Sequence, residues 1–167
     1  MFSTLLVLTG TLVTLFCLIS AFYTIGKERE KFYVYPFIQF LIAGVNGSFL
    51  TGDIFNLFVC FEVMLIASYV LIVHGGTKLQ LRESIIYVLI NVLSSALFLV
   101  AVANLYSTTG TLNLAHLSVR IAEVGQGGIL TTIALLFLVV FGLKAGLFLY
   151  FWLPGSYSAP PTAIAAI

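Results

Sequence analysis

DIFNLFVCFEVMLIASYVLIVH, residues Asp53–His74, is the stretch that decides how this chain folds. It is an apolar run with a single carboxylate, Glu62, near its middle. A helix needs about 20 apolar residues to cross a bilayer, so the run predicts a transmembrane span. At about 1.5 Å of rise per residue, Glu62 lies roughly 13 Å along the helix, near the centre of a hydrocarbon core about 30 Å thick. A carboxylate at that depth costs on the order of a few kcal/mol, so it must be compensated or used.

The composition is that of an integral membrane protein. Hydrophobic residues make up 61% of the 167 residues and charged residues only 8%, against about 25% charged in soluble domains. The net charge of +1 and the lack of a basic patch argue against nucleic acid as a partner. Cys17 and Cys60 lie in separate apolar runs, without a CxxC or Cys/His cluster, so neither a metal nor a cofactor is expected.

The apolar runs predict an all-α membrane protein, a polytopic bundle of five transmembrane helices followed by the start of a sixth. The expected spans cover residues 1–25, 33–50, 54–74, 84–106 and 129–152. Residues 160–167 begin with two prolines, which suit the first turn of a helix, and the chain stops shortly after them. We therefore expect residues 1–167 to form one transmembrane domain that is a piece of a longer protein.

Local signals predict two further helical features. Asp53 precedes the third span and is expected to cap that helix with its carboxylate, which is a structural role. Residues 113–124 carry apolar side chains at helical spacing opposite His116, Arg120 and Glu123, which predicts a short amphipathic helix on the membrane surface.

The basic residues indicate how the spans are oriented. With five spans, the connecting segments alternate between the two sides of the membrane, and five cations fall on one side against Arg120 on the other. The positive-inside rule then makes loops 26–32 and 75–83 cytoplasmic and places the N-terminus outside. The five cations are Lys27, Arg29, Lys31, Lys78 and Arg82.

A polar stripe runs along the fourth expected span. Its side chains are spaced mainly by three and four residues, so they share one helix face, which should meet other helices or a wet cavity. They could serve as packing contacts between helices or line an ion path, and the sequence leaves both open. The stripe consists of Ser84, Tyr87, Asn91, Ser94 and Ser95.

Lys144, in the sequence GLKAG, is the cation within the fifth expected span and the natural partner for Glu62. The two charges could form a structural ion pair, could lie in water, or could transfer protons or cations. A buried ion pair contributes little stability, which argues against a purely structural pair. Both runs are long and apolar, which argues against charges that lie in water, so ion transfer is favoured. A lysine in a low-dielectric site gives up its proton more easily, and a nearby carboxylate restores the charged form, so such a pair can act as a switch. The flanking Gly142 and Gly146 weaken the helix, and broken helices are typical of ion-coupled transporters.

Several stretches carry a family resemblance. The stretches are NGSFLTGDIFNLFVCFEVMLIASYVLIVHGGTKLQLRESIIYVLINVLSSALF, GTLNLAHLSVRIAEVGQGGIL, FGLKAGLF and YFWLPGSYSAPPTAIAA. They resemble the D subunits of Mrp-type multisubunit Na+/H+ antiporters. Those subunits are similar in turn to the antiporter-like, proton-pumping subunits of respiratory NADH dehydrogenase. The resemblance implies an inverted-repeat fold of which this chain covers the third span to the start of the eighth. It also implies that Glu62 is the family's charged glutamate and that Lys144 is its partner lysine, in a discontinuous span. The chain departs from the family after Phe148, which is followed directly by Leu149 where relatives have a proline between the two.

The expected function follows from the two charges in apolar spans and from the family resemblance. We expect a subunit of a cation/proton antiporter in the cell membrane, a secondary transporter and not an enzyme. Its partners would be other membrane subunits, the lipid bilayer, protons and Na+ or another monovalent cation. The ion-translocating residues would be Glu62 and Lys144, with Tyr87, Asn91, Ser94 and Ser95 as possible path-lining residues. The alternatives are a membrane-arm subunit of a redox-driven proton pump and a non-conducting scaffold subunit.

Overall fold

The chain folds as a bundle of α-helices in a computed structural model that describes residues 1–26, 33–125, 127–148 and 150–166. The predicted all-α class is confirmed, and within these residues no β-strand forms. Three of the cations used for the orientation, at residues 27, 29 and 31, and also residues 149 and 167, lie outside the described residues. The helices are α1 (Phe2–Thr24), α2 (Val34–Leu50), α3 (Ile54–Val73), α4 (Lys78–Thr109), α5 (Leu114–Val124), α6 (Gly128–Lys144), α7 (Trp152–Ser158) and α8 (Thr162–Ala165).

Three helices, α1, α3 and α4, are long and apolar enough to cross a membrane. The apolar helices α2 and α6 have 17 residues each, or about 26 Å, which is slightly shorter than the hydrocarbon core. Helix α4 begins at Lys78, before the expected start of the fourth span at residue 84, because Thr77 and Gln80 form a capping box there. Lys78 and Arg82 therefore lie in the first turns of a helix and not in a loop.

The span expected across residues 129–152 is interrupted after Lys144, as the flanking glycines and the family resemblance indicate. Gly146 adopts the left-handed conformation, with a φ of 67°, that ends helices. The Leu147 N–H donates to the Gly142 carbonyl at 2.8 Å, and the Gly146 N–H donates to the Leu143 carbonyl at 3.2 Å. This is the Schellman pattern, which satisfies the free carbonyls of the helix end within the chain. The helical path resumes only at α7.

Helices α2 and α3 form a tight antiparallel hairpin. A Cβ atom added at Gly44 would lie 2.7 Å from the Met64 backbone nitrogen and 2.8 Å from the Cys60 carbonyl oxygen. One turn along, a Cβ at Gly47 would lie 2.7 Å from the Cys60 sulfur. The two glycines thus allow the helix backbones to approach closely, as small residues do between membrane helices.

The second half of the bundle packs around Phe98 of α4, which is fully buried. Its ring contacts Phe58 and Phe61 of α3 and two phenylalanines of α6, at centroid distances from 5.6 to 6.1 Å. These contacts fix the rotation of α3, α4 and α6 relative to one another. The rotation determines which polar side chains of the three helices face each other.

A short backbone bridge joins the N-termini of α3 and α5. The Ile54 N–H donates to the Leu112 carbonyl at 3.0 Å, and the Leu114 N–H donates to the Gly52 carbonyl at 2.8 Å. Asp53 accepts from two backbone N–H groups at the start of α3, so its predicted capping role is confirmed, and Asn113 caps α5 in the same way. The placement of α5 on the membrane surface stays a prediction.

Candidate ion-translocation site

Lys144 is the last residue of α6, directly before the chain turns at Gly146. Its side chain is half-buried, and its Nζ donates to the Ser95 Oγ at 3.2 Å. The Nζ also lies 5.5 Å from the centroid of the Phe61 ring, within the range of a cation–π contact. The carboxyl end of a helix carries a partial negative charge that favours a cation. The ammonium group is therefore held by a hydroxyl, an aromatic face and a helix end.

Glu62 lies on α3, next to Phe61 in the sequence. Its Oε1 atom is buried and has no hydrogen-bond partner within the part of the chain that the structure describes. Glu62 interacts electrostatically with Lys144, but no ion pair joins the two, although both are described residues. The ammonium lies over the ring of Phe61, the residue before Glu62 in α3. In the structure, Glu62 and Lys144 therefore do not form an ion pair, and we call this the open arrangement.

Of the four residues predicted to line a path, Ser95 reaches Lys144. Ser94 is fully buried and donates to the Val140 carbonyl of α6 at 3.3 Å, which makes it a packing contact between helices. The Asn91 side chain donates to the Tyr87 carbonyl of its own helix at 2.9 Å. The polar stripe therefore contains packing contacts and, at Ser95, a direct partner of the half-buried Lys144.

Tyr87 belongs to a second polar group, closer to the end of the bundle where α3 meets α4. Its hydroxyl lies 3.1 Å from the Ser68 Oγ, and its ring packs against Tyr69 and Trp152 at centroid distances of 5.5 Å. Ser68, Tyr87 and Ser156 line a cavity of about 180 Å³ whose other walls are mainly apolar. Ser68 lies about 9 Å along α3 from Glu62, and Tyr87 about 12 Å along α4 from Ser95. The cavity thus lies between the charged residues and one end of the bundle.

Sequence reasoning missed three side chains that shape this region. Phe61 gave no signal, because it is one of 15 phenylalanines in the chain. Ser68 lies in the apolar third span, where a lone hydroxyl commonly bonds its own helix. Gln80 is buried and donates from its side chain to the His74 and Ala159 carbonyls at 3.1 and 3.2 Å, which ties the α3–α4 turn to the end of α7. Its position three residues after Thr77 is the sequence signal for the capping box that orients it.

Metal ligands do not cluster in this region. Among residues 1–26, 33–125, 127–148 and 150–166, no group of three His, Cys, Asp or Glu side chains could hold a metal ion. The chemistry available to the site is proton exchange at an amine, a carboxylate and hydroxyl groups.

Comparison with known protein families decides the identity of the chain. Residues 51–167 match the family described as "NADH:quinone oxidoreductase/Mrp antiporter, TM". The chain belongs to this family. It is 63% identical, over 100% of its own length, to the D subunit of the Na+/H+ antiporter of Alkalihalophilus pseudofirmus. The corresponding D subunit of Bacillus subtilis is 57% identical over 99% of the chain. The chain spans 34% of the length of each of these two relatives.

Two solved structures contain chains of the same fold. A chain of the Mrp complex from Dietzia sp. DQ12-45-1b superposes with a TM-score of 0.80 at 29% identity, over 98% of this chain and 31% of that one. A chain of the membrane-bound sulfane sulfur reductase, an archaeal respiratory membrane complex, superposes with a TM-score of 0.66 at 32% identity, over 77% of this chain and 26% of that one. The predicted family resemblance is confirmed, and the chain is a multi-pass membrane protein of this fold.

Proposed function

We propose that this chain belongs to a subunit of a multisubunit Na+/H+ antiporter and moves protons through Glu62 and Lys144. The observation that carries the proposal is the placement of Lys144 at the end of an interrupted apolar helix, on the Ser95 hydroxyl and over the ring of Phe61, which precedes Glu62 in α3. The names of the two bacterial relatives support Na+ as the cation that is exchanged and an assembly from several subunits. As a secondary transporter subunit, it would need other membrane subunits as partners.

The switch works through the distance between the two charges. In the open arrangement, the ammonium rests on Ser95 and Phe61, and the Glu62 Oε1 has no partner among the described residues. Movement of the Lys144 side chain toward Glu62 would favour the charged amine, and movement away would favour release of its proton. The interrupted helix end gives Lys144 the freedom to make that movement, because no helical turn follows it directly.

Protons would reach the pair through the cavity beside Ser68 and Tyr87. The hydroxyl oxygens of Ser68, Tyr87 and Ser156 can accept hydrogen bonds from water within mainly apolar walls. The cavity lies toward the α3–α4 turn, which the charge distribution assigns to the cytoplasm. We therefore propose a half-channel from the cytoplasmic side of the cell membrane, with the N-terminus of the chain outside.

The test is Na+-dependent proton flux in vesicles that hold the complete complex. Glu62→Ala and Lys144→Ala are expected to lower the flux by at least about tenfold, since each removes one of the two charges on which the switch depends. Lys78→Ala is the matched control, because it removes an exposed cation at the start of α4 and should leave the flux unchanged. Undiminished flux in both site variants would remove these residues from the mechanism.

A second candidate function is a membrane-arm subunit of a redox-driven proton pump. The similarity to a chain of an archaeal respiratory membrane complex favours it, and the charged pair would work in the same way. Co-purification separates the two candidates, since subunits with flavin and iron–sulfur clusters would indicate the pump.

A non-conducting scaffold is the third candidate. It predicts that replacing both Glu62 and Lys144 with leucine preserves assembly and activity.

A further inference from the structure

Ser95 is the residue that holds Lys144 in the open arrangement. Its side chain is 7% exposed, and its Oγ accepts from the Lys144 Nζ at 3.2 Å. The hydroxyl proton of Ser95 has no acceptor among the described residues. This differs from Ser84 and Ser94, whose hydroxyls donate to backbone carbonyls. Ser95 therefore has both its oxygen and its proton available to the lysine.

A hydroxyl is suited to a lysine that changes its protonation state. It accepts a hydrogen bond from an ammonium group and donates one to the lone pair of a neutral amine. An ionised carboxylate can only accept, so it serves the ammonium best. Ser95 can thus keep its contact with Lys144 before and after a proton leaves, by reversing the direction of one hydrogen bond.

The surroundings leave Lys144 with two alternative partners. Glu62 is the ionisable group that acts electrostatically on Lys144 within the described part of the chain, and its Oε1 is buried and unpartnered there. Ser95 and the Phe61 ring hold the ammonium. An exchange of Ser95 for Glu62 would take place through movement of the flexible Lys144 side chain.

We propose that Ser95 is a positioning residue for Lys144, which binds the amine in both protonation states and holds it away from Glu62. This inference rests on the proposed function, in which Lys144 carries protons. In each cycle, the ammonium would give its proton to a water molecule while the amine is on the hydroxyl, and the amine would take a proton from another water molecule beside the carboxylate. Removal of the hydroxyl would leave Glu62 as the stable partner, so the amine would hold its proton up to a higher pH.

The experiment compares substitutions at two neighbouring serines in the complete subunit, assembled in its complex in everted membrane vesicles. Na+-dependent proton exchange is measured over a range of pH. Ser95→Ala is expected to move the midpoint of the pH profile by about half to one pH unit toward higher pH, because the amine then stays beside the carboxylate. Ser95→Thr keeps the hydroxyl and should keep the midpoint. Ser94→Ala is the matched control, because Ser94 bonds the Val140 carbonyl and not the lysine.

Assembly of each variant is checked on a native gel before flux is measured. If Ser95→Ala does not assemble, Ser95→Cys replaces it, since a thiol has a similar volume and is only a weak hydrogen-bonding group. The same shift toward higher pH is expected from the cysteine. A midpoint that equals that of Ser94→Ala, or that lies at lower pH, would overturn the positioning role. Lys144→Ala separates this failure from failure of the proposed function, because full flux without the lysine would refute both proposals.

Discussion

Gly146→Ala should destabilise the protein more than the same substitution does at Gly76. Gly146 has a φ of 67°, and a Cβ added to it would lie 2.6 Å from the Leu153 Cδ1. Gly76 has nearly the same φ, 63°, but an added Cβ would meet nothing within 4 Å. The two sites therefore share the backbone cost and differ in the side-chain contact, so Gly76→Ala is the matched control.

The expected magnitudes come from two separate contributions. An alanine in the left-handed region costs about 1–2 kcal/mol, offset by roughly 0.5 kcal/mol because alanine restricts the unfolded chain. Gly76→Ala should therefore lower the free energy of unfolding by about 1 kcal/mol. At Gly146, the end of the flexible Leu153 side chain must also shift away from the new Cβ, at a further cost of up to about 1 kcal/mol. A total of up to about 2 kcal/mol corresponds to roughly a 30-fold change in the folded-to-unfolded ratio.

The measurement is SDS-induced unfolding of the complete subunit in mixed micelles, followed by circular dichroism. Gly146→Asn is the diagnostic variant, since asparagine adopts the left-handed conformation more readily than alanine and should recover part of the loss. Na+-dependent proton flux should fall in Gly146→Ala, because Lys144 lies directly before the turn. A loss in Gly146→Ala no larger than that in Gly76→Ala would refute the role of the Leu153 contact. A larger loss with asparagine than with alanine would refute the backbone contribution.

Two further predictions concern the α2–α3 hairpin. Gly44→Ala should lower the free energy of unfolding by about 2–3 kcal/mol, because the new Cβ meets backbone atoms that cannot rotate away. In Gly47→Ala the new Cβ meets the Cys60 side chain, so the loss should be about 1 kcal/mol. The same SDS titration compares them, and equal losses would contradict the close backbone approach. Asp53→Ala should cost about 1 kcal/mol by removing the cap of α3, and Asp53→Asn, which can also cap, should cost only a few tenths. A loss in the asparagine variant equal to that in alanine would show that the negative charge, and not the hydrogen bonds, is what stabilises the helix start.

The helical elements can largely be predicted from the sequence, because their signals are local. The apolar stretch after Asp53 is long enough for a membrane helix, and the Asp53 side chain caps it in the structure. Hydropathy places the start of α4 too late, since it excludes Lys78 and Arg82, whereas the hydrogen bonds between Thr77 and Gln80 decide where the helix begins. Hydropathy likewise extends the fifth span to residue 152, whereas the flanking Gly142 and Gly146 indicate the interruption that the structure has after Lys144.

The candidate site is predictable in its residue types but not in its contacts. Glu62 and Lys144 stand out in the sequence because a charge in an apolar run is costly wherever the helices pack. That Lys144 contacts Ser95 and the Phe61 ring, with no ion pair to Glu62, depends on how α3, α4 and α6 rotate around Phe98. The sequence by itself determined that this chain is a bundle of membrane helices with two opposite charges in its apolar stretches. Only the tertiary structure decided which partner the cation has, because side chains distant in the sequence meet through helix packing, which no local pattern encodes.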